Sequence, residues 1–185
     1  MAVKRILAVC TGNICRSPAV ERMLAFYLSR TCVISSAGTG AVVGAPIEEA
    51  MAQRLRKIQV SCTNFSARQI SATMIGQADL ILTATRAHRS KVVALEPMAI
   101  KRTFTVMEFA RSSSLVELAG LAGKTVPERM ALLTDHVYRT RPHLRLPADE
   151  IDIPDPFNGP DEGYELAFSM IFKAVSTIVY QLTAQ

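Results

Sequence analysis

Tryptophan is absent from this 185-residue chain, and aromatic residues make up only 6% of it. With so few rings, and no basic stripe interleaved with them, the chain offers no stacking platform for nucleic acid. Its net charge of +5 is better matched to steering small anionic groups. Cysteine is scarce as well. Cys10, Cys15, Cys32 and Cys62 do not repeat as a paired zinc-ligand spacing, and there are only three histidines. This argues against a structural metal and for reduced thiols in a cytoplasmic setting. At 49% hydrophobic and 20% charged residues, the chain can bury a full core without a disulfide or metal staple. Long apolar runs are missing too, and no stretch approaches the ~20 residues of a membrane span. Lys4 and Arg5 ahead of Ile6–Val9 imitate the start of a signal peptide, but Gly12, Asn13 and Arg16 interrupt the run too soon. Neither membrane insertion nor a cofactor is expected. There is no internal repeat, low-complexity tract or linker, so residues 1–185 are expected to form one domain.

What is present is concentrated in one stretch, Cys10-Thr11-Gly12-Asn13-Ile14-Cys15-Arg16-Ser17. An apolar strand-like run ends at Cys10, and Ser17-Pro18 has the look of a helix start, with Ser17 as the cap and Pro18 in the first turn. Gly12 and Asn13 tolerate unusual backbone angles, so the loop between strand and helix can curl its N–H groups toward one point. A helix N-terminus adds partial positive charge there. Cys10 at the floor, with Arg16 beside it, suits a thiolate that attacks phosphorus and forms a phosphocysteine.

The rest of the chain alternates strand and helix, which argues for a parallel sheet with right-handed crossovers. Strands are expected at 4–10, 31–36, 79–84 and 101–106. The first helix should present Met23, Leu24, Tyr27 and Leu28 to the core. Pro46 should open a second, with Glu48 and Glu49 in its first turn and Arg54, Arg56 and Lys57 in its last. Ser66–Gln69 has a capping-box pattern, and Thr85 is placed to cap a helix carrying Arg86, His88, Arg89 and Lys91. The segment 111–154 is too long for a bare connection. It carries two capping-box patterns, Ser114 with Glu117 and Thr125 with Glu128, and is expected to be a helical insertion. A closing helix over 162–182 should bury Leu166, Met170, Ala174 and Ile178. His88 and His136 are expected on helix surfaces, and Cys32 and Cys62 as buried, inert thiols. The basic group Arg139, Arg141, His143 and Arg145 is a candidate dock for an acidic protein partner.

The stretch Val9–Pro18 resembles the phosphate loop of the low-molecular-weight protein-tyrosine phosphatases. Ser36-Ala37-Gly38-Thr39-Gly40 resembles that family's second signature, Asp155-Pro156-Phe157 its acid loop, and Asp79-Leu80-Ile81-Leu82 its third strand, all in the family's order. The resemblance implies a single-domain, three-layer α/β fold, a four-stranded parallel sheet of order 2-1-3-4 with helices on both faces. It implies hydrolysis of phosphate monoesters on proteins or small molecules, foremost phosphotyrosine. Cys10, Arg16 and Asp155 would be catalytic, the last as general acid, with Asp152 and Asp161 as nearby competitors for that role. Thr11, Gly12, Asn13, Ile14, Cys15, Ser17 and Ser36 would bind phosphate or support the loop. Asn13 would hold a left-handed turn that Ser36 braces, and Ser17 would donate to the thiolate. Cys15 could close a reversible disulfide with Cys10 that shields the nucleophile, or be a small core residue.

The chain departs from the pattern around the substrate. The aromatic that often follows the second signature is replaced by Ala41-Val42-Val43, and the second acid-loop tyrosine by Asn158. The expected substrate wall is therefore Val42, Phe157 and Asn158, short of rings to sandwich a phosphotyrosine. Related protein-arginine phosphatases carry threonine where Ile14 stands, so Ile14 favours a phenolic ester. Arsenate reductases that share the loop need downstream redox cysteines, and none follows Cys62. A phosphate-binding module without turnover would need neither thiolate nor acid.

Overall fold

A computed structural model describes residues 3–144 and 147–184. Strands β1 (Lys4–Cys10), β2 (Cys32–Gly38), β3 (Leu80–Thr83) and β4 (Thr103–Thr105) form one parallel sheet of order β2-β1-β3-β4. The apolar runs explain the order. Both faces of β1 and β3 are buried, as central strands require. Ile6, Ala8, Leu80 and Leu82 point into one core, while Leu7, Val9 and Ile81 point into a second on the opposite face.

The larger core is covered by α1 (Arg16–Leu28), α2 (Glu49–Lys57), α5 (Val106–Ser113), α6 (Val126–Thr140) and α8 (Asp161–Thr183). Between β2 and β4 lie α3 (Ala72–Gln77) and α4 (Arg86–Leu95). They bring Ile75 and Val92 to the smaller core. The short helix α7 (Ala148–Ile151) leads into the segment before α8. The order, the parallel pairing and the helices on both faces are those expected from the resemblance.

Several local expectations give way to tertiary structure. Cys15, not Ser17, is the N-cap of α1, so Ser17 lies inside the first turn with its hydroxyl turned to the loop. The second helix begins at Glu49, capped by the Glu48 carboxylate, which accepts from the Ala50 and Met51 amides. Ser66–Gln69 starts no helix. Its backbone pairs with the 38–45 segment, Ala67 N donating to Ala45 O and Ile70 N to Gly38 O, and α3 starts later, capped by Ser71. Ser114 ends α5 rather than opening a helix. The Thr125–Glu128 capping box does form, and so does an unexpected one at Thr105–Glu108.

Tyr27 is 52% exposed and packs edge-on against Phe26 rather than in the core. In α8, Ala167, Ile171, Ala174, Ile178 and Leu182 are buried, whereas Leu166 is 55% exposed and Met170 only partly covered. Ala174 and Ile178 are buried as expected, but in the first half of the helix the stripe falls one residue later, on Ala167 and Ile171. By length and composition α8 could cross a membrane, contrary to the expectation that no such stretch exists. Its apolar stripe is spent on the core instead, against α1, α2, α5 and α6.

The basic group near 139–145 does not form a free docking face. Arg139 pairs with Asp135 at 2.9 Å. Arg141 reaches inward to Glu108 at 2.8 Å, donates to Thr103 O and lies over the Phe104 ring. The buried Glu108 carboxylate is paired with both Arg141 and Arg89. Arg145 lies outside the described residues.

Candidate active site

Cys10 ends β1 at the carboxyl edge of the sheet, where open α/β folds bind their ligands. The chain curls from there into α1. The carbonyls of Cys10, Thr11, Gly12 and Ile14 accept from the N–H groups of Thr39, Gly40, Val42 and Glu48. With these carbonyls bonded to the neighbouring segments, the amides of the curl are left to serve a ligand at the start of α1. Gly38 permits this contact: a β-carbon there would fall 2.3 Å from the Thr11 carbonyl oxygen.

Asn13, fully buried with a φ of 54°, is the keystone of the curl. Its Oδ1 accepts from Arg68 N at 2.8 Å. Its Nδ2 donates to Ser17 Oγ at 2.9 Å and to Ser36 Oγ at 2.8 Å, which uses both amide hydrogens. Ser36 Oγ in turn donates to Glu21 Oε2 at 2.5 Å, and Arg68 pairs with the same oxygen at 3.3 Å. With its oxygen accepting from Asn13, Ser17 keeps its own proton for Cys10 Sγ, 2.9 Å away; the Ala37 carbonyl at 3.5 Å is the poorer acceptor. The hydroxyl is thus aimed at the sulfur.

Arg16 is 4% exposed. Its Nη2 lies 2.5 Å from Asp155 Oδ2, its Nη1 donates to Ile153 O at 3.3 Å, and its Nε is buried without a partner among the described residues. The segment carrying Asp155 is held at a second point by Ile153 N, which donates to Ala84 O at 2.9 Å. Asp152 does not face the loop. It accepts from Arg86 N at 2.7 Å and takes the Arg86 guanidinium at 3.0 and 3.2 Å, at the N-terminus of α4. Asp161 pairs with Arg54 at 2.8 Å. Of the three neighbouring carboxylates, Asp155 is the one beside Arg16.

The geometry is that of an oxyanion cradle with a thiol at its base, an arginine in its wall and a carboxylate at its rim. Residues 5–120 match the model of the family described as low molecular weight phosphotyrosine protein phosphatase. The chain belongs to that family. It is 41% identical over 115 residues, 62% of this chain and 74% of the relative, to the low molecular weight protein-tyrosine-phosphatase Wzb of Salmonella typhi. Its fold is similar to that of the Erwinia amylovora tyrosine phosphatase AmsI, with a TM-score of 0.70 at 25% identity over 96% of this chain and 92% of that one. It is equally similar to the YwlE arginine phosphatase of Geobacillus stearothermophilus, with a TM-score of 0.70 at 25% identity over 97% and 92% of the two chains.

Around the phosphatase's loop stand residues that the sequence did not single out. Glu21 and Arg68 anchor Ser36 and Asn13 from α1 and from the stretch before α3. His88, expected on a surface, is 5% exposed and bridges α4 to the loop. Its Nδ1 lies 2.7 Å from Thr85 Oγ1 and its Nε2 2.8 Å from Thr11 Oγ1. A neutral ring protonated on Nε2 suits both partners, with Thr85 donating to Nδ1 and Thr11 accepting. Burial, then Arg16 and Lys91, push the imidazole down to about 4. The Thr85–His88 spacing at the helix start was the available signal, since a cap turns the first-turn side chains back toward the strand end.

Cys15 is buried in the same loop as Cys10, and both are free thiols. Burial, with Glu48 nearby, pushes the Cys15 thiol up to about 12. Cys32 is buried as expected, but Cys62 is only half-buried. Of the expected wall residues, Val42 comes close to the loop, its Cγ2 3.8 Å from where a Gly12 β-carbon would stand. Phe157 is 47% exposed, with its N donating to Asp155 Oδ1 at 3.4 Å, and Asn158 turns the chain at a φ of 58°. Ile14 is buried beside Gly12.

His88 gives the fold an acid-sensitive point. The unfolded imidazole takes a proton near 6.5, the folded one only near 4. Between these values the unfolded state holds more protons, so stability falls as the pH drops. Urea midpoints at pH 7 and pH 5 should therefore differ more for the wild type than for His88→Gln. An equal drop in the two proteins would contradict this.

Proposed function

We propose that this phosphatase hydrolyses protein phosphotyrosine in two steps through a phosphocysteine on Cys10, in the cytoplasm and without a cofactor. The observation that carries the reading is the pairing of Cys10 Sγ with Ser17 Oγ at 2.9 Å at the base of the cradle, with Arg16 and Asp155 joined at 2.5 Å at its rim. The loop amides and Arg16 take the phosphoryl oxygens, the planar guanidinium fork fitting two of them. Their hydrogen bonds strengthen as charge shifts onto those oxygens in the transition state. A phosphoryl group in the cradle competes with Asp155 for Arg16 and leaves the carboxyl group to serve the ester oxygen.

The Cys10 thiolate attacks phosphorus, and the S–P bond forms as the P–O bond to the phenol breaks. Asp155 gives its proton to the leaving phenolate. In the second step the Asp155 carboxylate takes a proton from water. That water's oxygen bonds to phosphorus, the S–P bond breaks, and Ser17 stabilises the departing thiolate by hydrogen bonding. Thr11, Gly12, Asn13, Ile14, Cys15 and Ser36 shape the cradle. Val42, Phe157 and Asn158 form the wall met by the phenyl ring, with the single aromatic face of Phe157 in place of a sandwich. The helical segment over 111–154 we read as an elaboration of the same domain.

Phosphoarginine is the competing substrate, and the likeness to the arginine phosphatase fold keeps it in view. The buried aliphatic Ile14 offers no hydroxyl to the extra N–H groups of a guanidinium. Matched peptides should show kcat/KM higher for phosphotyrosine by about tenfold or more, the scale of discrimination by pocket shape. A preference for the phosphoarginine peptide would overturn the substrate assignment.

The Arg86–Asp152 pair fixes the start of the acid segment to α4, three residues before Asp155. Arg86→Met should lower kcat/KM for phenyl phosphate by about tenfold, since sub-ångström placement of an acid carries such factors. It should lower kcat/KM for p-nitrophenyl phosphate much less, because that leaving group needs little proton assistance. Arg86→Lys should recover part of the loss. Equal effects on the two esters would show that the pair serves stability alone.

A further inference from the structure

The segment between α5 and the acid loop builds a second concavity at the opposite end of the sheet from Cys10. Lys4 opens β1 and Cys10 closes it, so the two ends lie about 20 Å apart at the usual strand rise. At the Lys4 end, α6 leans over the strand starts and leaves a cleft of about 500 Å³. This is within the range of roughly 300–1,000 Å³ typical of small-molecule sites. Met130, Thr134 and Tyr138, four residues apart, set one stripe of α6 along it. Met130 is buried and Tyr138 half-buried, so this wall is largely apolar.

The charges around the cleft do not cancel. Lys4 is balanced by Asp79 at 2.7 Å, and Arg139 by Asp135 at 2.9 Å. Lys101 and Arg102, which also line it, have no carboxylate partner among the described residues. The Lys101 ammonium stands 6.0 Å over the Tyr138 ring. Arg102 gives one hydrogen of each Nη to a backbone carbonyl, Met98 O at 3.3 Å and Ile75 O at 3.4 Å, which leaves one N–H on each Nη, while its Nε is buried with no partner among the described residues. A buried donor left without an acceptor is costly. Two adjacent uncompensated cations beside an aromatic and thioether wall form a receptor for negative charge carried on a flat body.

We propose that this cleft binds a small planar dianion, an aromatic ring bearing a phosphate or two carboxylates. The anionic groups would meet Lys101 and Arg102, and the ring would lie along Tyr138 and Thr134, with the buried Met130 beneath. The site is separate from the phosphate cradle and does not depend on the catalytic reading.

The test is a titration of the full chain with isophthalate, a planar dicarboxylate, followed by amide chemical shifts, with inorganic phosphate as a parallel arm. Saturable shifts at residues 101–102 and 130–138 are expected. Lys101→Gln and Tyr138→Leu should each weaken isophthalate binding by about tenfold, the scale of one charge-assisted contact. The Lys101 ammonium has no hydrogen-bond or carboxylate partner among the described residues, so its variant removes the charge and the contact over Tyr138 but no ion pair; Arg102→Gln should weaken binding at least as much. Shifts confined to residues 10–17, failure to saturate, or unchanged affinity in Lys101→Gln would overturn the site. Inorganic phosphate binding there as tightly as isophthalate would overturn the planar-ring requirement.

Discussion

Replacing Cys10 by serine is expected to reduce kcat by about 10⁴-fold or more, the scale of loss when a nucleophile working in concert with its neighbours is removed. The reason is specific to this loop. The hydroxyl that replaces the thiol is a far weaker nucleophile, and among the described residues no carboxylate or imidazole is bonded to position 10 to activate it. The polar neighbour bonded to it, Ser17 Oγ at 2.9 Å, already receives Asn13 and is a neutral hydroxyl, not a base. The cradle itself should survive, because its shape rests on Asn13, Ser36, Glu21 and Arg68 and not on the sulfur. Cys10→Ser protein should therefore still bind inorganic phosphate with near wild-type affinity while failing to turn over p-nitrophenyl phosphate. Residual turnover within tenfold of wild type would remove Cys10 from the mechanism. Loss of phosphate binding together with turnover would show that the sulfur also holds the cradle together.

Asp155→Asn should act on the leaving group and not on binding. The amide cannot give up a proton, so kcat/KM for phenyl phosphate should fall by about 10²-fold or more, within the usual range for a general acid. For p-nitrophenyl phosphate the same quantity should fall much less. The separation matters because Asp155 also neutralises Arg16 in the free protein. If its role were only to hold the guanidinium, the two esters would suffer alike. The same comparison made for Asp152→Asn should resemble Arg86→Met, since Asp152 acts through its grip on α4. If Asp152→Asn matched the leaving-group dependence of Asp155→Asn in full size, the acid role would pass to Asp152.

The parts of this site that were legible in the sequence are those whose chemistry is packed into consecutive residues. Cys10 to Ser17 carries thiol, turn formers and guanidinium within eight positions. A strand end and a helix start can be recognised on either side of it. The parallel sheet was legible from short apolar runs separated by helices, whereas its strand order came only from the family resemblance. The supports of the loop were not legible. Glu21 looks like an ordinary solvent-facing helix residue until Ser36 and Arg68 are brought to it from 15 and 47 residues away. His88 sits among Arg86, Arg89 and Lys91, a run that suggests a surface, and its contact with Thr11 spans 77 residues. The false helix start at Ser66 has the right capping residues, but its backbone finds better partners in the 38–45 segment. Of the three carboxylates Asp152, Asp155 and Asp161, the sequence favoured Asp155 only through its Asp-Pro-Phe context. Arg86, Arg16 and Arg54, which pair with them one by one, are what tell them apart.

The central claim is a covalent phosphoryl group on Cys10, and acid quench of the enzyme during steady-state turnover of p-nitrophenyl phosphate, followed by intact mass and peptide mapping, tests it directly. The account predicts one phosphoryl group per chain, located on the peptide containing Cys10 and absent from Cys10→Ser. It should accumulate further in Asp155→Asn with p-nitrophenyl phosphate, where the good leaving group still departs but water is no longer activated. Rapid turnover with no phosphorylated protein at any quench time, or with the phosphoryl group on a residue other than Cys10, would contradict it.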